Sequence, residues 1–174
     1  MLPPSETKSD GGKGAPLDLG ELSMPQLTET REMLVSALVD LAADTEASNL
    51  ALGLGPKQAD EIERNARCGS PHPSSARALH RCAVRCPRRQ VVHESAAEKA
   101  FRRLAMGSAL FGAVRAGDPI PAYRLSGGSK LPARHAAVAV EAGVDGRAAL
   151  GGRRRSGVDL RSGTYQQLGR CPTR

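Results

Sequence analysis

Tryptophan is absent from this 174-residue chain, and two Phe and two Tyr bring the aromatic share to only 2%. Large flat side chains normally supply much of a core's buried area, so any interior here has to be built from Leu, Val, Ile and Ala. Long apolar runs are also missing: nothing approaches the ~20 residues that a membrane-spanning helix needs. The start, MLPPSETKSDGG, lacks the basic and apolar regions of a secretory signal, so the sequence points to a cytoplasmic protein. In that reducing compartment the four cysteines, Cys68, Cys82, Cys86 and Cys171, are expected as thiols or metal ligands rather than disulfides. Negative charge is in deficit as well, with a net charge of +7 and a pI near 9.7, which favours anionic partners such as nucleic acid. The imbalance is local, because Asp and Glu are spread through the first 66 residues whereas Arg dominates afterwards, at Arg85, Arg88, Arg89 and Arg153 to Arg155.

What is present suffices for one domain, since 40% of the residues are hydrophobic. Residues 1 to 20 are rich in Gly, Pro and charge and read as loop. A helix follows, capped by Ser23 with Pro25 in its first turn, and Leu27, Met33, Leu34, Val35, Leu38 and Leu41 recur at helical spacing as far as Ala43. A short helix over 46–52 stops at Gly53, and Pro56 opens another that carries Ala59, Ile62 and Ala66 on one face. The junction, LGLGPKQADEI, resembles the helix-hairpin-helix motif of proteins that hold DNA by its backbone. Gly53 and Gly55 leave no Cβ in the way of a phosphate approaching the hairpin amides, Pro56 starts the second helix, and Lys57 adds a positive charge beside Gln58. Double-stranded DNA is the partner this predicts. An ordinary helical hairpin that serves only packing uses the same residues.

A second cluster lies in residues 77 to 93, RALHRCAVRCPRRQVVH, where His80, Cys82, Cys86 and His93 offer mixed ligands of the kind zinc accepts. Pro87 and the adjoining Arg run argue against a metal, because neighbouring positive charge repels a cation and no hairpin pattern organises the ligands. No metal and no cofactor are expected.

Several blocks resemble one family. PPSETKSDGGKGAPLDLGELSMPQLTETREMLVSALVDLAAD, LGLGPKQADEIERNA, GSALFGAVRAGDPIPAYRLSGGSKLP and VDLRSGTYQQLG are similar to the bacterial peroxide stress protein YaaA family in its actinobacterial-type form. The matching blocks cover residues 3–66, 96–132 and 158–169. The intervening stretches, 67–94 and 133–157, bear no obvious relation to it. Back-translation accounts for them. SPHPSSARALHRCAVRCPRR, residues 70 to 89, is encoded by synonymous codons that read APTLPALERYTGALYDALD from the next nucleotide, and HAAVAVEAGVDG, residues 135 to 146, becomes TLPSRWKPVLT after the same shift. Both products resemble the family, and a Trp appears. The Cys/His cluster is therefore read as an out-of-frame segment, and the chain as one incomplete domain that stops short of the family's C-terminal part.

The resemblance implies a single α/β (α+β) domain with a helix-hairpin-helix and a basic cleft. GSALFGAVRAGDPIPAYRLS reads as a buried strand, a turn through Gly117 and Asp118, and a second strand ending at Tyr123 to Leu125. VDLRSGTYQQL reads as a strand end, a turn and a helix start with Arg161, Ser162 and Tyr165 at the tip. Lys8, Arg124, Lys130, Arg161 and Tyr165 are expected to line the cleft. The implied function is protection during hydrogen peroxide stress, limiting free iron and oxidative DNA damage. No catalytic constellation supports an enzyme, since the Ser5/Lys8 pair is a common four-residue pattern with no second motif. The rival readings are a small-molecule enzyme that holds an anionic substrate with Lys8, Arg124 and Arg161, and a non-functional pseudogene product.

Overall fold

The computed structural model describes residues 16–69, 103–129, 131, 160, 163 and 165. Among them are three α-helices, α1 (Thr28–Ala42), α2 (Thr45–Leu52) and α3 (Ala59–Ala66), and an antiparallel hairpin of β1 (Ala105–Ser108) and β2 (Gly112–Arg115). The described part is a mixed α/β unit. Its helices pack on one another, and α1 meets the β-hairpin through a buried polar contact.

α1 buries Leu34, Val35, Leu38 and Leu41, the stripe expected from spacing, whereas Met33 is exposed. Its start differs from expectation. Pro25–Leu27 form a separate 3-10 turn, no side chain caps α1, and the Ser23 hydroxyl instead donates to Asp118 Oδ1 at 2.7 Å. The reason is tertiary. A carboxylate from the turn after β2 offers the hydroxyl a stronger, charge-assisted bond than a helix amide would. Asp44 caps α2 by accepting from the Ala47 amide at 3.0 Å, and Ser48 Oγ, fully buried, donates to Leu41 O at 2.7 Å, fixing the α1 to α2 corner. Gly53 ends α2 at φ 64°, in the left-handed region that glycine enters without a Cβ penalty.

α3 begins later than its sequence suggests, at Ala59, because Gly55 to Gln58 close a turn through Gln58 N–H to Gly55 O at 3.0 Å. Pro56 thus sits in that turn and not in the helix. The buried face of α3 is Ile62 with Asn65, and Ala59 and Ala66 are exposed. Asn65 replaces an expected apolar contact because its carboxamide pairs twice with one backbone: Nδ2 donates to Arg124 O at 2.9 Å, and Arg124 N–H donates to Oδ1 at 2.7 Å. Arg67–Gly69 continue α3 as a 3-10 turn that puts Cys68 in the core, 2% exposed, while Arg67 and Gly69 stay exposed, so the stretch read as out of frame begins with one core residue.

The single strand expected over GSALFGAVRA, up to the turn at Gly117 and Asp118, is instead split into β1 and β2. A turn at Ala109 to Phe111 reverses the chain, with Gly112 at φ 69° and the Phe111 amide donating to Ser108 Oγ at 2.9 Å, so that Ser108 faces Gly112 and Ala105 faces Arg115. The turn at Gly117 and Asp118 is where it was expected, with Asp118 N–H donating to Arg115 O at 3.0 Å, but residues 119 to 125 run on without joining the sheet. They still pack inward. Ile120, Tyr123 and Leu125 join Leu38, Leu110, Phe111 and Val114 in one core, where Phe111 and Tyr123 stack edge to face at 5.5 Å and 84°. Half of the chain's four aromatic residues thus sit in a single pair.

Candidate nucleic-acid interface

The α2 to α3 connection brings the five hairpin residues together. Leu52 and Leu54 point inward as anchors, while Gly53, Pro56 and Lys57 are exposed and Gly55 and Gln58 are half-buried. The alternation in LGLG is the cause: the apolar residues fold in and the glycines stay out. Only Gly53 has the positive φ that demands glycine, because Gly55 lies outside that region and a Cβ built on it meets nothing nearer than Gln58 Oε1 at 3.8 Å. The Gly55 amide is itself engaged, donating to Gln58 Oε1 at 2.9 Å. Leu54 N–H closes the C-terminus of α2 on Asn49 O at 3.0 Å.

The electrostatics are mixed. Lys57 stands at the tip with no ion pair among the described residues. Asp60 and Glu61 occupy the first turn of α3, which suits its helix dipole but opposes an incoming anion. Arg64 offsets them, approaching Asp60 at 3.3 Å and Glu61 at 3.1 Å. Arg67 pairs with Glu63 one turn further on.

Of the expected cleft residues, two are described. Arg124 is half-buried, its backbone held by Asn65, and Tyr165 lies in helical backbone, packed partly against the main core. Lys8, Lys130 and Arg161 lie outside the described residues, as do Ser5, Ser162, His80, Cys82, Cys86, Pro87 and His93. The described residues contain no group of three or more metal-ligating side chains, and none of their helices is long and apolar enough to cross a membrane.

Sequence reasoning missed a buried polar cluster around Arg31. This residue is 1% exposed; its Nε donates to Phe111 O at 3.0 Å, and its Nη2 donates to Ala113 O at 2.9 Å and Ser23 O at 2.7 Å. Burial lowers its pKa from the usual arginine value, and the nearby Asp118 charge opposes that fall. Asp118 also accepts from the Ser23 and Arg115 amides, at 3.2 and 2.9 Å. Between Ser23, held by the cluster, and the 3-10 turn at Pro25–Leu27, Met24 adopts φ 67°, a costly conformation for a side-chain-bearing residue. The signal was present in TETREMLVSAL, where Arg31 precedes the apolar Leu34, Val35 and Leu38 by three, four and seven residues and so lies on their face.

Comparison with known proteins places the whole chain. A family model described as "Peroxide stress protein YaaA" matches residues 1–172. A UPF0246 protein from Corynebacterium efficiens is 45% identical over 175 residues, covering 99% of this chain and 69% of the relative. One from Corynebacterium glutamicum strain R is 43% identical over 173 residues, with 98% and 69% covered. A UPF0246 protein from Streptomyces coelicolor is 39% identical over 134 residues, with 76% and 52% covered. The chain belongs to the peroxide stress protein YaaA family.

Proposed function

We propose that this protein acts in the peroxide stress response by binding the backbone of double-stranded DNA through the 53–58 hairpin, and that this association limits oxidative DNA damage and the free iron that drives it. Family membership supports the stress role. The observation that carries the DNA reading is the connection itself: two helices joined by a left-handed glycine, with buried Leu52 and Leu54 fixing the loop and Lys57 at its exposed tip with no ion pair among the described residues. Such a loop offers a phosphate one positive charge, and the Gly55 amide wherever the phosphate takes the place of the Gln58 side chain, without needing a particular base. The positive charge of the whole chain supplies long-range attraction.

Titration of a labelled duplex at several salt concentrations tests the reading. Backbone binding gives a straight fall of log affinity with log salt, with a slope of about 0.9 per phosphate neutralised. A flat response, together with tighter binding of a small phosphorylated compound, would favour the small-molecule alternative built on Arg124.

A further inference from the structure

Resting on the DNA reading above, we propose that Gln58 is an internal competitor for the phosphate, a positioning residue that keeps the hairpin cradle closed until DNA displaces it. Gln58 Oε1 lies 2.9 Å from the Gly55 nitrogen, so a carboxamide oxygen already occupies the acceptor position that a phosphate oxygen would take. The same residue closes the loop with its backbone, through Gln58 N–H to Gly55 O at 3.0 Å, and passes its own carbonyl to the Glu61 amide at 3.0 Å. The backbone bonds fix the loop, and the side-chain bond only fills it. The side chain is thus removable without undoing the turn. A Cβ built on Gly55 would meet only this oxygen, at 3.8 Å, an ordinary contact, so the Cβ side of Gly55 is open apart from Gln58.

A neutral hydrogen bond at a half-exposed site is modest in net terms, and its loss is worth about a two- to tenfold change in an equilibrium. Binding has to break it first, and the apparent affinity falls by that factor. Gln58→Ala therefore binds a short labelled duplex about two- to tenfold more tightly than the unaltered full chain. Gln58→Glu keeps an acceptor on Gly55 and the fold, but adds a charge that repels phosphate, and binds more weakly than either. In the unaltered protein, duplex addition moves the nuclear magnetic resonance signals of the Gly55 amide and the Gln58 carboxamide protons together.

The outcomes separate the two levels. Binding by the unaltered chain with equal or weaker binding by a folded Gln58→Ala overturns the competitor role and leaves the hairpin reading standing. If Gln58→Ala fails to fold, an unmoved Gln58 carboxamide signal on duplex addition overturns it instead. No binding by the unaltered chain or by Gln58→Ala overturns both.

Discussion

Two polar constructions in this protein behave in opposite ways. The Arg31 cluster is buried, and its bonds join residues 80 and 82 positions apart, tying α1 to the β-hairpin. The tip of the 53–58 hairpin is exposed, and its half-buried side-chain bond spans only three positions. Long-range buried bonds hold a fold, because breaking one strands its partners away from water; short-range exposed bonds shape a surface and can be exchanged. A charged residue therefore reveals little by its type. Arg31 is structural and Lys57 is available, and burial decides between them.

The largest effect that sharpens this contrast is expected at Arg31. Replacement by Met keeps the bulk but strands the carbonyls of Ser23, Phe111 and Ala113, at about 1–3 kcal/mol for each group left unsatisfied, and a urea melt should lose a large part of a typical ~5–15 kcal/mol margin. The same change at Lys57 should leave the melt within about 0.5 kcal/mol. Equal effects at the two positions would erase the distinction.

A second expected effect is alkaline. Tyr123 is buried and shares a 2.6 Å bond with Ser108, and its hydroxyl pKa is raised well above the ordinary tyrosine value, chiefly by burial. A raised pKa means that the folded state holds its proton more tightly than the unfolded state. The contribution is whole below the unfolded value of about 10 and is lost as pH climbs from there through the folded value. Stability should thus decline above about pH 10, and Tyr123→Phe should flatten that decline while costing about 1 kcal/mol at neutral pH through the lost bond. An unchanged alkaline profile in Tyr123→Phe would contradict the assignment.

Smaller still is the contrast between the two hairpin glycines. Gly53→Ala forces a Cβ into the left-handed region and should cost about 1–2 kcal/mol although nothing lies within 4 Å of it. Gly55→Ala should be nearly neutral in a thermal melt. If both cost the same, the hairpin's backbone differs from the one described.

The legible parts of this fold were those set by local periodicity and by glycine. The α1 stripe of Leu34, Leu38 and Leu41 and the stop at Gly53 followed from spacing and from the absence of a Cβ. What escaped were features decided by distant residues. Ser23 caps nothing because Asp118 claims its hydroxyl, α3 buries Asn65 because the Arg124 backbone needs a partner, and the strand expected over GSALFGAVRA breaks because Ser108 accepts from the Phe111 amide in a tight turn. The connection between α2 and α3 was legible because LGLGPK is contiguous. The cleft expected from the resemblance would draw on positions spread along the chain, of which Arg124 and Tyr165 are among the described residues.

The account of the Arg-rich stretches 67–94 and 133–157 as shifted reading frames stands as our proposal, carried by the family-like products of back-translation. Resequencing the coding region should return a single frame that encodes RYTG and a Trp-bearing segment. Recovery of the two Arg-rich stretches with no family-like product in the neighbouring frame would overturn the account.

The central claim is that the exposed hairpin, and not the buried cluster, meets DNA. Its most direct test is the affinity of the Gly55→Ala, Lys57→Glu double variant for a labelled duplex at low salt, with folding followed by circular dichroism. The account predicts an unaltered melt, at least tenfold weaker binding, and a salt slope shallower by about one, as expected when a phosphate contact is lost. Unchanged affinity and slope in a folded double variant would contradict it and leave LGLGPK as a packing hairpin.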